Sequence, residues 1–258
     1  MLQIVRFNWP KYVAAVAVCA VSVAVCAAFP EFERVRWTMS GGAACALYWI
    51  VASLLVSHWV YDRSKIWQWS WIQETLSGKP NRWANIHAGL DESSPSLMRL
   101  FPGSEGTILD IFDPFEMTEP SIVEARCGAA GTRCLARKAS LWTLPFADAT
   151  LDAAFLIFAA HEIRRSESRL AFFKELHRVL KPGGQVVLVE HLRDLNNFLA
   201  FGPGCFHFHA RGVWLKASAQ AGLEVAKEFN ITPFVKVFLF KNGGIREYGE
   251  STRSFGLI

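Results

Sequence analysis

The feature that most limits what this chain can fold into is a pair of long uncharged runs at its front. Tyr12 to Phe29 is 18 residues rich in Ala and Val, and Trp37 to Tyr61 is 25, with the short polar link Pro30 to Arg36 between them. As helices rising 1.5 Å per residue they reach about 27 and about 37 Å, enough to cross the hydrocarbon core of a bilayer. Charge avoids this front. Residues 1 to 61 hold only Arg6, Lys11, Glu31, Glu33, Arg34 and Arg36, leaving 23 of the 27 basic and 21 of the 23 acidic residues to the remainder. The division predicts a membrane hairpin over 1–61 (spans about 12–29 and 37–61), an aromatic interfacial linker over 62–81 and a folded domain over 82–258. Two alternatives stay open. The first run also reads as a signal peptide with a small-residue cleavage site at Val25-Cys26-Ala27, leaving one anchor, and the pair as a buried core hairpin.

Arg6 and Lys11 before the first span, with Arg63, Lys65, Lys79 and Arg82 after the second, favour both termini and the large domain on the cytoplasmic side. Trp59, Tyr61, Trp67, Trp69 and Trp71 crowd the exit of the second span, where rings with an apolar body and a polar tip suit headgroup depth. The net charge of +4 divides equally between front and domain. No stripe of Lys and Arg could neutralise a run of phosphates, so nucleic acid is not an expected partner. The cysteines show no C-x-x-C spacing and imply no disulfide framework.

Past the turn at Ser77 to Pro80, apolar runs alternate with amphipathic helices. Strands are predicted at Arg82 to His87, Thr107 to Asp113, briefly around Arg133 to Ala136, at Leu151 to Phe158 and at Gln185 to His191. Helices are predicted at Ser94 to Phe101, Pro120 to Cys127, Glu167 to Leu180 capped by Ser166, and His209 to Ala221. Lys181-Pro182-Gly183-Gly184 reads as a helix stop, and Leu223 to Ile231 with Phe234 to Phe240 as a closing antiparallel pair. Such alternation means a mostly parallel sheet covered on both faces, with ligands beyond the carboxyl ends of its strands.

Four stretches then occur together: Ser140-Leu141-Trp142-Thr143-Leu144-Pro145-Phe146-Ala147-Asp148, Leu151-Asp152-Ala153-Ala154-Phe155, His161, and Glu175-Leu176-His177-Arg178-Val179-Leu180-Lys181-Pro182-Gly183-Gly184. In order and spacing, over about Arg82 to Asn242, the chain resembles the class I S-adenosylmethionine-dependent methyltransferases, in particular the branch that methylates quinones and lipids. The resemblance implies a Rossmann-like α/β methyltransferase fold, mostly parallel with an antiparallel last strand, here preceded by two transmembrane helices. It implies S-adenosylmethionine as cofactor and a lipophilic small-molecule acceptor.

The family's acid-x-Gly-x-Gly-x-Gly loop aligns with Asn85-Ile86-His87-Ala88-Gly89-Leu90-Asp91, keeping only the middle glycine. The resemblance makes Asn85, His87 and Gly89 the loop residues of a cofactor site. It makes Asp113 the first choice, and Asp110 the second, for the acid that accepts from the ribose hydroxyls. Ser140 takes the adenine-contacting position, with Leu141 as its packing partner. His161, beside Glu162 after the fourth strand, is the candidate base, and Glu190-His191 could line the acceptor side. Cys205-Phe206-His207-Phe208-His209 has the residue types of a metal site, but its two histidines are only two apart and no second cluster matches them in sequence. No metal is expected there; the segment reads as a lid over an apolar acceptor. A membrane-anchored methyltransferase is therefore the leading expectation. A non-catalytic subunit of a membrane complex, retaining the fold as a scaffold, is the alternative that the two lost glycines motivate.

Overall fold

The computed structural model describes residues 2–89, 91–119, 122, 123, 126 and 136–243, with backbone alone for 2–8, 10 and 11. Helices α1 (Leu2–Ala28) and α2 (Glu33–His58) run antiparallel, with Ala17, Ser22 and Gly42 in their seam. Among the described residues, one helical stretch, Glu33–Gln68, is long and apolar enough to cross a membrane. Tyr12–Ala28 of α1 is a shorter apolar helical stretch, so among the described residues one of the two expected spans meets this measure.

Below His58 the helix widens into one π turn, Trp59–Arg63, and a 3-10 turn, Lys65–Gln68, leads to α3 (Ser70–Thr75). This segment does not form the aromatic collar that its composition suggests. Trp59 is 43% exposed, but Trp69 and Trp71 are buried and pack, with Val60, Ile66 and Ile72, on one face of the sheet. An indole on a sheet face and one at a headgroup carry the same sequence signature, an apolar body with one polar atom. Here the polar atom of Trp71 donates to the Ile66 carbonyl at 2.9 Å.

The sheet has seven strands: β1 (Arg82–His87), β2 (Glu105–Asp110), β3 (Arg137–Lys138), β4 (Leu151–Ile157), β5 (Leu180–His191), β6 (Leu223–Thr232) and β7 (Val235–Asn242). Their order is β3-β2-β1-β4-β5-β7-β6, with β1 to β5 parallel and β7 antiparallel to both its neighbours. The predicted third strand falls a few residues later than expected, and residues 133–135 lie outside the described ones. Of the predicted helix Pro120 to Cys127, only Ile122, Val123 and Arg126 are described.

Alternation along the strands divides the core. Ala84, Ile86, Ala154, Leu156, Val186 and Leu188 face one layer, formed by α5 (Ser166–Val179) and α7 (Arg211–Gln220). Trp83, Ala153, Phe155, Val187 and Val189 face the segment that leaves α2, together with α4 (Ser94–Leu100). The apolar run of β4 is legible as buried on both sides for this reason.

Three of the family-like stretches are bonded to one another. Glu175 Oε2 accepts from the Leu144 N–H at 2.8 Å, and Arg178 donates to Glu175, Asp148 and the carbonyls of Leu144 and Phe146. Asp152 accepts from the backbone N–H groups of Asn81 and Arg82 and from Lys181 Nζ. The motif is therefore a clamp holding the ends of β1, β4 and β5 together. Lys181 to Gly184 does not itself stop α5, which already ends at Val179, with Leu180 extended as the first residue of β5. Pairing slides from Leu151↔Leu180 to Ala153↔Gln185, so Pro182 and the two glycines form an irregularity within the strand. Ser166 does not cap α5 either: Arg165 stands at the cap and the Ser166 hydroxyl donates to Glu167.

At Gly106 in β2 an added Cβ would lie 2.3 Å from the Trp83 ring, which is boxed by Phe101 and Phe155 and pinned by Nε1 to Ser104 Oγ at 2.7 Å. Gly106→Ala is expected to cost about 1–3 kcal/mol by overpacking, read as a lower thermal midpoint. An unchanged midpoint would mean that the indole has room to move.

Candidate active site

The carboxyl ends of β1, β2, β4 and β5 converge at the switch point where an α/β sheet takes its ligand. His87, the last residue of β1, lies in register with Asp110, the last of β2. Asp110 is 6% exposed and accepts from the Phe112 N–H at 3.0 Å and from both arms of Arg126, at 3.0 and 2.9 Å. Burial opposes its charge, but Arg126 and the Phe112 N–H overcome this and hold the carboxyl below the usual range. Arg126 also donates to the Ala88 carbonyl, lies over the Phe112 ring, and passes where a Cβ of Gly89 would sit, so φ +144° with no side chain is required at Gly89.

Asp113, the first choice from sequence, is displaced from this cluster. β2 ends three residues before the predicted Asp113, whose carboxylate accepts from the Phe115 N–H in the following turn. Asn85 is buried beneath the loop and bonded to Asp91, Ser93 and Ser94. His87 accepts from the Gly89 N–H through Nδ1, while its buried Nε2 has no hydrogen-bond partner. Burial lowers its pKa, keeping the ring neutral. Ala139 N–H donates to the Asp110 carbonyl, which brings Ser140 beside the same strand end; its exposed hydroxyl accepts from Trp142 N–H. Leu141 is 1% exposed and belongs to the core.

A nucleoside cofactor fits this donor set with one exchange. The orphaned His87 Nε2, the Asp110 carboxylate and the cradle at Gly89 suit a polar ligand, and ribose hydroxyls would replace the Arg126 guanidinium on Asp110.

On the other side of the switch point, Glu190 is fully buried and accepts from the backbone N–H groups of Ala160 and His161 and from His161 Nδ1 at 2.7 Å. Burial works against the charged His161 ring, yet Glu190 and Glu162 overcome it and its pKa is pushed up to about 10. As an imidazolium it has no lone pair for a proton, which tells against the base role expected of it. His191 is the opposite case, its pKa pushed down to about 4 by burial. Its Nδ1 must donate to the Phe234 carbonyl at 2.9 Å, so Nε2 accepts from the Tyr61 hydroxyl at 2.9 Å. Phe158 and Phe208 stack on either side of His191, at 5.1 and 5.0 Å.

Arg126 escapes a reading of the sequence, since nothing local marks it; Tyr61 stands out there as an interfacial ring, but its contact with His191 on β5, far along the chain, does not. The pairing of His161 with Glu190 had a signal: one follows the end of β4 and the other lies near the end of β5, strands that a parallel topology makes neighbours.

Comparison with known proteins bears on the fold and not on these residues. Residues 114–188 match a family model described as a methyltransferase domain. The fold is that of a class I methyltransferase. It is the fold of S-adenosylmethionine-dependent enzymes. Among curated relatives, a ubiquinone/menaquinone biosynthesis C-methyltransferase of Cereibacter sphaeroides is 28% identical over 143 residues, 54% of each chain. A demethylmenaquinone methyltransferase of Protochlamydia amoebophila is 31% identical over 124 residues, 46% of this chain and 50% of that one. The chain thus spans about half the length of the curated relatives it matches. A solved S-adenosylmethionine-dependent methyltransferase from Aquifex aeolicus covers 62% of this chain and 81% of its own, with a TM-score of 0.48 at 17% identity.

Proposed function

We propose that this chain is a membrane-anchored methyltransferase that uses S-adenosylmethionine on a lipophilic acceptor of the quinone-precursor or isoprenoid kind. The observation that carries the reading is the box formed by Tyr61, Phe158, His191, Phe201 and Phe208 at the ends of β4 and β5. One wall of it comes directly from the end of α2, so the acceptor side of the fold and the apolar helix share a surface. Helix α6 (Leu195–Phe201) lies along α2 through a Trp49–Phe198 contact at 5.6 Å, and its Leu195 and Leu199 stay exposed on one face. Their exposure continues the apolar surface of α2, which supports a domain resting on a bilayer. The relatives' names, which refer to quinone pathways, point the same way.

S-Adenosylmethionine would supply an electrophilic methyl group, leaving the protein to align the acceptor and exclude water. Asp110 would hold the ribose, Gly89 would let the backbone approach the ligand, and the rings would order an apolar acceptor. His191, neutral, accepts from the Tyr61 hydroxyl through Nε2 and would hold that hydroxyl in position at the acceptor side.

Titration of labelled S-adenosylmethionine onto the detergent-solubilised full chain should give saturable binding, followed by transfer of label to a lipid extract. Lack of saturation up to roughly millimolar concentration, a binding energy of only about 4 kcal/mol, would sink the proposal. Binding without transfer to any extract, with a stoichiometric membrane partner co-purifying, would favour the scaffold alternative.

A further inference from the structure

We propose that His161, Glu162 and His207 form a binding site for a divalent transition metal, of the two-imidazole, one-carboxylate type that suits Zn²⁺. The three residues offer Nε2, Oε1 and Nε2, which lie within 4.8 Å of one another, with His161 Nε2 at 3.4 Å and His207 Nε2 at 3.9 Å from Glu162 Oε1. Ligands at zinc distances stand about 3.3 Å apart, so a small inward shift of His207 closes the set. His207 ends the 3-10 turn Gly202–His207 and its carbonyl accepts from Arg164 Nη1, so the shift falls on its side chain.

The second observation is the other oxygen of Glu162. The residue is 5% exposed, and its Oε2 is buried with no hydrogen-bond partner, a costly arrangement that a cation relieves. The third is the outer shell. Histidine ligands to metals usually donate their remaining N–H to a carboxylate, which fixes the ring. His161 shows this pattern, its Nδ1 meeting Glu190 Oε2 at 2.7 Å, and the Glu119 carboxylate stands near His207 Nδ1 at 3.7 Å, beyond hydrogen-bond distance. Glu190 is itself locked by the N–H groups of Ala160 and His161.

Charge agrees. Glu119, Glu162 and Glu190 bring three carboxylates to this cluster, and the Arg164 guanidinium lies beside them, its Nε 3.8 Å from Glu119. Three protein ligands leave at least one position open, as in sites that bind an oxygen of a second molecule. The site stands at the ends of β4 and β5. Its use in holding an acceptor oxygen rests on the methyltransferase reading, whereas metal binding itself does not.

The test is direct binding. Detergent-solubilised full chain, stripped with chelator, is titrated with Zn²⁺ by calorimetry and with Co²⁺ for its visible ligand-field bands. One equivalent at micromolar affinity or tighter is expected, and Glu162→Gln and His207→Ala should each weaken it at least about tenfold. Labelled S-adenosylmethionine binding and thermal unfolding on the same samples show that each variant is folded; His207→Gln replaces His207→Ala if that variant does not fold. The proposal is overturned if Zn²⁺ binds no better to the native chain than to the double variant His161→Ala/His207→Ala, or if the single variants bind as tightly as the native chain. Failure of metal binding with intact cofactor binding leaves the methyltransferase reading standing, and the converse leaves the metal site standing.

Discussion

Asp110→Ala is expected to weaken S-adenosylmethionine binding by about 100-fold or more, because two charge-assisted hydrogen bonds of about 1.5–3 kcal/mol each are removed. The carboxylate is buried, in register with His87 at the strand ends, and held ionised by Arg126. Asp113→Ala should leave binding near native, since that carboxylate only closes a turn at Phe115. Arg126→Ala should tighten binding several-fold, because a guanidinium no longer has to leave Asp110 before a ribose can arrive. Equilibrium dialysis with labelled cofactor reads all three. Native-like binding by Asp110→Ala together with loss in Asp113→Ala would reverse the assignment and put the ribose acid after the strand, where the sequence first placed it.

Glu190→Ala should cost about 3–5 kcal/mol of stability, the usual loss when one partner of a buried ion pair is removed. The side chain is fully buried, and its loss strands the Ala160 and His161 N–H groups as well as the charged His161 ring. Glu190→Gln, which keeps an acceptor of the same shape, should cost about 1–2 kcal/mol. Denaturant midpoints at equal slope distinguish the two. Equal, small losses would mean that water reaches His161 and takes over from the carboxylate.

How far the fold is legible in the sequence follows from what each pattern encodes. The alternation of Ala153, Ala154, Phe155 and Leu156 specifies a strand buried on both faces, and the clamp of Glu175 and Arg178 explains why the family-like stretches recur at fixed spacing. Such signals are local, or carried by residues that must meet. Trp69 and Trp71 mislead because burial against a sheet and burial in a headgroup layer ask the same of an indole. The end of β2 is read three residues too late because the apolar residues Ile111 and Phe112 continue the strand's composition, although its pairing stops at Asp110. The cluster of His161, Glu162 and His207 is invisible because its parts follow different elements, and spacing within Cys205 to His209 says nothing of a partner arriving from β4.

The hydrogen bond from Tyr61 to His191 carries a mechanical consequence. It ties the lower end of a helix suited to a bilayer to the last residue of β5. Tilting α2 to match a thinner bilayer would draw the phenol across the imidazole, so bilayer thickness becomes a variable of the site. A fragment cut after the π turn Trp59–Arg63 would retain every strand yet lose Tyr61 and its hydrogen bond to His191, and its activity would not stand for that of the full chain.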